Sequence, residues 1–279
     1  MKDFERICCQ NFVEANGYAY FSNWFYNGMF MVEIETGRTI FLGDFGGEKS
    51  CGIRIHEEIF LKNEKIYFCP GRGGHVHIYD LEDHSMKSIS IRKNSTEFFV
   101  TANVILKDEH IYFIPKQEGI SIRKLDLKSL NVSEESKSFK PQGMILAENK
   151  EVFPALWLVE KEQIELADFF SWKQLYHKMW YSFLPTGRWL LKYAEGKNEI
   201  EKVPLIVLNE AALKNYLCYV REEALREKII SEKSNRLNIQ DYLEYIMRKD
   251  NFKYDGLNGS CRVGLRVWES FSDTFQRAL

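Results

Sequence analysis

From Gly17 onward, apolar and polar residues alternate in short runs parted by turn-forming residues, the period-2 pattern of half-buried strands. GYAYFSN, MFMVEIETG and RTIFLGDF are three such runs, with a turn at Asn27-Gly28 between the first two. The stretch from Ile66 to Ile91, IYFCPGRGGHVHIYDLEDHSMKSISI, repeats the scheme as strand, glycine-marked turn, strand, turn, strand. Laid on the first unit, Ile66-Tyr67-Phe68 falls on Ala19-Tyr20-Phe21, and Asp80-Leu81 on Glu33-Ile34. A third copy puts Ile111-Tyr112-Phe113 and Asp126-Leu127 in the same places, and a fourth puts Met179-Trp180-Tyr181 and Lys192-Tyr193 there.

Within each unit the central aromatic and the later mark are 14, 14, 15 and 13 residues apart, and the later mark advances by 47, 46 and then 66 residues. The first two steps match the period of roughly 40 to 50 residues of a four-stranded propeller blade. The third is one blade and a remainder, so an irregular unit is expected between Met144 and Lys178. ALWLVEKEQIELADFF begins where a unit should but lacks the glycine turn and last strand, as a degenerate blade would. The expected fold is therefore mainly β, a β-propeller of about five blades, one degenerate, over residues 1–208. A pair of unrelated β-meanders is the alternative that the same alternation allows.

After Asn209 the period changes. NEAALKNYLCYVREEALREKIISEK carries Leu213, Leu217, Val220, Leu225 and Ile229 at helical spacing, with Asn209 placed as N-cap. A second helix is expected at IQDYLEYIMRK and a third from Arg262 to Gln276, making residues 209–279 an α-helical C-terminal extension whose apolar faces need burial.

Charge narrows the classes. Lys and Arg number 38 against 40 Asp and Glu, and basic residues are interleaved with acids as in KDEH, KNEK and REEALREK, so neither a nucleic-acid platform nor a membrane-surface partner is expected. The start lacks a basic head before an apolar run, and no segment approaches the roughly 20 apolar residues of a membrane span. The expected location is cytoplasmic. The six cysteines, Cys8, Cys9, Cys51, Cys69, Cys218 and Cys261, show no CxxC spacing and read as reduced thiols.

Phe21-Ser22, Asn27-Gly28-Met29-Phe30 and Glu33-Ile34-Glu35-Thr36-Gly37 succeed one another as an aromatic-Ser strand, an Asn-Gly-x-Phe turn and an acidic-x-x-Thr-Gly turn. In this the chain resembles bacterial proteins with kelch-like or TolB-like β-propeller repeats, and IYFCPGRGGHVHIYDL looks like their second blade. The resemblance covers residues 15 to 135 well and 175 to 205 loosely. In the tail, GLRVWESF is similar to C-terminal ends of proteins from bacterial surface-polysaccharide loci. The resemblance implies the propeller fold and no established activity.

In a propeller the loops joining second to third strands and fourth to first strands share one face, which predicts residues that meet from far apart in sequence. On that face the expected set is Trp24, Tyr26, Asn27, Glu48, Arg54, His56, Arg72, His75, Lys116 and Arg188. Aromatic faces beside planar polar and charged groups suit a carbohydrate-like or anionic ligand; solvated charges over covered blade edges are the plainer alternative. His75 and His77, at i and i+2 of a strand, share a face as two metal ligands would, with His56 or Glu48 able to supply a third. Solvent-exposed imidazoles with no ion are the commoner case, and no metal or other cofactor is expected. Gly71-Arg72-Gly73-Gly74 lacks the phosphate-loop patterns and opens a strand, so positive-φ turn positions explain its glycines better than a phosphate cradle does. Glu57 and Glu58 are adjacent and point to opposite strand faces, which bars them from acting as an acid–base pair. With no GxSxG or HExxH motif, the expected function is a non-catalytic binding or scaffold propeller, for a carbohydrate-like or anionic ligand or a protein partner. The alternative is a saccharide-acting hydrolase or lyase, metal-assisted through His56, His75 and His77.

Overall fold

The structure is a computed structural model that describes residues 6–9, 11–52, 54–94, 97, 99–115, 120–135, 174–176, 179–183, 188–194 and 200–227. The strands form four antiparallel meanders. The first comprises β1 (Val13–Ala15), β2 (Tyr18–Ser22), β3 (Met29–Glu33) and β4 (Arg38–Gly43), and the second β5 (His56–Lys62), β6 (Lys65–Pro70), β7 (His75–Asp80) and β8 (Met86–Ser90). The third holds β9 (Thr101–Lys107), β10 (His110–Pro115), β11 (Ile122–Asp126) and β12 (Val132–Glu135); the fourth holds β13 (Gln174–Tyr176), β14 (Met179–Phe183), β15 (Trp189–Ala194) and β16 (Ile200–Pro204). The aligned aromatic marks fall on the second strand of each of these meanders, and the later marks within two residues of the end of the third.

The first turns repeat as well. Asn16 and Gly17, Asn63 and Glu64, and then Asp108 take positive φ between the first two strands of three successive sheets. Two-residue turns of this hand match the right-handed twist of the strands they join, and Asn, Asp and Gly tolerate the conformation best.

Sheet two is covered on both faces, which is why KIYFCP reads as a nearly continuous apolar run. Along β6, Ile66 and Phe68 join a core shared with Phe21, Phe30 and Phe45, while Tyr67 and Cys69 join a second core with Val104, Ile111 and Phe113 of sheet three. The period-2 alternation thus feeds two cores from one strand. The first core also takes in sheet four, where Phe183 packs 4.5 Å from Phe21 and 5.6 Å from Phe12. One core thus joins sheets four, one and two, and the other joins sheets two and three. The degenerate unit expected over 155–170 and the helices expected at 239–249 and 262–276 lie outside the described residues.

The chain returns to its beginning after sheet four. β17 (Ile206–Val207) adds parallel to β4, with Ile206 N donating to Gly37 O at 2.9 Å and Leu208 N to Thr39 O at 2.8 Å. α1 (Glu210–Arg226) follows and buries Leu213, Leu217, Val220 and Ala224 in the core of sheet one. Ala224 takes the place expected for Leu225, which is only partly buried, and Ile229 lies outside the described residues. Asn209 stands at the N-cap position but makes no side-chain cap. Its amide instead accepts from Phe41 N at 3.0 Å and donates to Phe41 O at 2.7 Å, prolonging the backbone pairing of β17 along β4. Among the described residues no helix is long and apolar enough to cross a membrane.

Candidate functional site

Three connections from two sheets meet at one end of the molecule: residues 23–28 between β2 and β3, 44–55 between β4 and β5, and 71–74 between β6 and β7. Backbone bonds hold them together, Asn27 N to Ser50 O at 2.9 Å, Arg54 N to Trp24 O at 2.9 Å and Gly71 N to Ile55 O at 2.7 Å. Residues nearly 50 positions apart thus form one surface.

Its inner part is a clamp built by Asn27, which is fully buried. The Asn27 side chain donates to Phe45 O at 3.0 Å and Glu48 O at 3.4 Å and accepts from Phe45 N at 2.9 Å. Tyr26 is also fully buried, its ring 6.3 Å from Phe30 and 6.5 Å from Tyr216, and burial pushes its hydroxyl pKa far up. Tyr26 and Asn27, expected on the ligand face, are therefore interior residues that support it. In the aromatic turn WFYNG, Phe25, Tyr26 and Asn27 go inward because the 44–55 loop lies over them, while Trp24 stays partly exposed.

The turn 71–74 corrects a second expectation. Gly71, Gly73 and Gly74 do not have positive φ. They are glycines because neighbours crowd them: a Cβ would stand 3.0 Å from Arg54 O at Gly71, 2.8 Å from Ile55 Cγ2 at Gly73 and 2.8 Å from Arg92 Nε at Gly74. Every amide from residue 71 to 75 already has an acceptor within the protein. Arg72 N donates to Arg54 O at 3.1 Å and Gly73 N to Ile55 O at 3.0 Å, while Gly74 N and His75 N donate to Glu48 Oε1 at 2.6 and 3.0 Å. The Glu48 carboxylate occupies the position an external anion would take in an open nest of amides.

Glu48 also accepts from His75 Nδ1 at 2.8 Å. On the same face of β7, His77 lies buried with its ring 5.9 Å from that of His75. His77 Nε2 bonds Gly46 O at 3.0 Å and Nδ1 bonds His56 Nε2 at 2.9 Å, and His56 Nδ1 bonds Ser22 Oγ at 2.8 Å. Burial holds both imidazoles below the usual histidine pKa, with His77 adding to the effect on His56, so both are neutral near pH 7. One fixed acceptor then orders the chain. The Gly46 carbonyl can only accept, so His77 carries its proton on Nε2; His56 must donate from Nε2 to His77 Nδ1, and Ser22 must donate its hydroxyl to His56 Nδ1. Phe45 packs 4.4 Å from His56 and 5.0 Å from His77, keeping water away from this bridge between sheets one and two.

His56 thus stands behind His77, and the group able to converge on a cation is Glu48, His75 and His77, whose donor atoms lie within 4.8 Å of one another. Around this cluster Gly46 and Gly47 are exposed, and Trp24, Glu48, Arg54, Arg72 and His75 are partly exposed. The Arg54 guanidinium lies 5.6 Å from the centre of the Trp24 ring and pairs with Glu57. Glu58 takes the Asn11 amide at 2.7 Å, so the two adjacent carboxylates go to different partners. Arg188 is bound to Glu210 at the start of α1 at 2.8 Å, and Lys116 lies outside the described residues. The Ser22, His56 and His77 chain had no signal in the sequence beyond the separate presence of its members. The i, i+2 histidines did announce one face.

No protein-family model matches the chain, and nothing matches among curated proteins. Solved structures similar to it include the extracellular domain of a one component system from B. thetaiotaomicron, at 12% identity and a TM-score of 0.33, over 70% of this chain and 22% of that one. Another is a chain of the S. cerevisiae assembly of Dbp5 bound to Nup159, Gle1, IP6 and ADP, at 10% identity and a TM-score of 0.31, over 69% and 46%. The chain spans about a fifth of the first structure's length and under half of the second's.

Proposed function

We propose that the chain is a β-propeller of about five blades, of the kelch-like or TolB-like kind, that binds an acidic saccharide or related anionic sugar without transforming it. The repeated meanders support the fold, as do the contacts of β1 with β5 and of β5 with β9, which set the first strands of successive sheets side by side. The observation that carries the function is the joining of three connections into one surface on which Trp24, Arg54, Arg72 and His75 are all partly exposed. Guanidinium groups give paired donors to a carboxylate, and an indole offers an apolar face to a sugar ring. The buried clamp at Asn27 and the Glu48 bonds to the 71–75 turn pre-position these groups, which limits the ordering cost of binding.

An array of glycans and nucleotide sugars probed with the full chain tests this. Arg72→Ala should weaken the strongest hit by about tenfold or more, the worth of one charge-assisted contact, with an unchanged melting temperature. Trp24→Ala should weaken it too. A chain that binds nothing on the array, or a hit indifferent to both substitutions, contradicts the reading.

A saccharide-acting hydrolase or lyase is the second reading. The observation favouring it is the Glu48, His75 and His77 cluster on the same surface.

A further inference from the structure

We infer that Glu48, His75 and His77 form a binding site for one divalent first-row cation, Zn2+ by preference, and that His56 and Ser22 form a hydrogen-bond chain that adapts to its arrival. Two imidazoles and one carboxylate are the donor set that borderline cations such as Zn2+ favour, and three protein donors leave a fourth position for water or a ligand oxygen.

The distances are those of a site open by about an ångström. Donors around a tetrahedral Zn2+ lie roughly 3.4 Å apart, given bonds of about 2.1 Å, whereas the three donors here lie within 4.8 Å. The movable partners are the right ones. The side chain of His75 is 28% exposed and can turn by giving up its bond to Glu48, and Gly46 and Gly47 form an exposed turn over the cluster. Glu48 keeps its Oε1 bonds to the 74 and 75 amides and can offer its other oxygen.

His77 presents the apparent obstacle, because Nε2 holds a proton toward Gly46 O. The chain behind it removes the obstacle. If His77 ligates through Nε2, its proton resides on Nδ1 and donates to His56 Nε2. His56 then carries its proton on Nδ1 and donates to Ser22 Oγ, whose hydroxyl turns to another acceptor. Each imidazole still holds one proton, the two bonds among His77, His56 and Ser22 are remade in the opposite direction, and the carbonyl of exposed Gly46 exchanges its bond from His77 for one from water. The proton that leaves His77 Nε2 balances the one returned to the Ser22 oxygen. A ligating histidine whose other nitrogen donates to a fixed acceptor is the usual supported arrangement, and here the fixed acceptor is His56.

This inference does not depend on saccharide binding: metal uptake with a blank glycan array, or the converse, separates the two. The test is titration of the metal-free full chain with Co2+ followed by visible absorption, and with Zn2+ by calorimetry. One ion per chain is expected, with d–d bands of a low-symmetry nitrogen and oxygen site. Glu48→Gln, which keeps an oxygen acceptor for the 74 and 75 amides, and His75→Ala should each lower affinity by at least about tenfold. His56→Gln should lower it by roughly 10- to 100-fold while one ion still binds, as the loss of an outer partner does. His77→Ala should abolish the bands, and because His77 is buried its fold is checked by circular dichroism; His75, whose side chain is 28% exposed, and the near-isosteric Glu48→Gln keep the test decisive if that variant fails to fold. Binding of less than one ion by the wild type, or bands and affinity unchanged in both Glu48→Gln and His75→Ala, would overturn the inference.

Discussion

Replacing Asn27 by Ala tests whether the surface is held from below. The substitution removes an amide that donates to Phe45 O and Glu48 O and accepts from Phe45 N. Phe45 is fully buried, so its N–H gains no water in return, while its C=O keeps the Glu48 N–H at 3.4 Å. One orphaned buried group costs about 1–3 kcal/mol and the lost bonds to the two carbonyls add about 0.5–1.5 kcal/mol, which puts the loss at about 2–4 kcal/mol. For a chain of this size roughly 3 kcal/mol corresponds to a fall in melting temperature of about 6–12 °C. The loss should also be local. The loop from Phe45 to Ser50 carries Glu48, whose carboxylate holds the 74 and 75 amides, so slackening the clamp frees both loops. Thermal melting together with backbone hydrogen exchange reads the two effects: exchange at Phe45, Gly74 and His75 should accelerate more than at Phe113 in the core of sheets two and three. A melting temperature within about 2 °C of the wild type, with exchange at Phe45 and His75 unaltered, would refute the clamp.

Two further outcomes follow from the same structure. Gly37 has φ +71° and an added Cβ would overlap the Pro204 carbonyl and stand 2.9 Å from Val203 Cγ1; Gly37→Ala should cost more than the roughly 1–2 kcal/mol of the left-handed conformation alone, and should expose the Ile206 and Leu208 amides to exchange. Protection retained at both amides would mean that the close approach of Gly37 to Pro204 is not what seats β17 on β4. Burial raises the Cys8 thiol, and burial with Glu223 raises the Cys51 thiol, each to about 12. Between pH 9, where the unfolded thiols ionise, and about 12 the native chain holds protons the unfolded chain has lost, so stability should fall as pH rises through that window. Alkylation at pH 8 followed by peptide mapping should modify exposed Cys218 well before Cys8 or Cys51; equal rates would contradict the burial of that core.

The strands were legible because alternation, aromatic marks and turn residues recur at a fixed spacing, and that spacing survives whatever the side chains do. Less of the surface could be read. Tyr26 and Asn27 lie in a turn whose composition suits a ligand face, and only the 44–55 loop crossing above it decides that they are interior. The glycines of 71–74 look like turn residues in a single sequence, whereas close approach of Arg54, Ile55 and Arg92 explains them. Asn209 reads as an N-cap from its position before a helix, and its bond to Phe41, 168 residues away, has no local trace. The pairing of His75 with His77 was visible in strand periodicity, but the choice of Glu48 over His56 as third donor depends on which loop lands beside β7.

In the proposed function the connections 23–28, 44–55 and 71–74 form the binding surface. Hydrogen–deuterium exchange of the full chain, with and without the strongest saccharide from the array, tests it most directly. Slowed exchange is expected on residues 24–27, 46–49, 54–55 and 72–77 and nowhere else among the described residues. Slowed exchange on α1 or on β11 and β12, with the 46–49 and 72–77 segments unaffected, would contradict it.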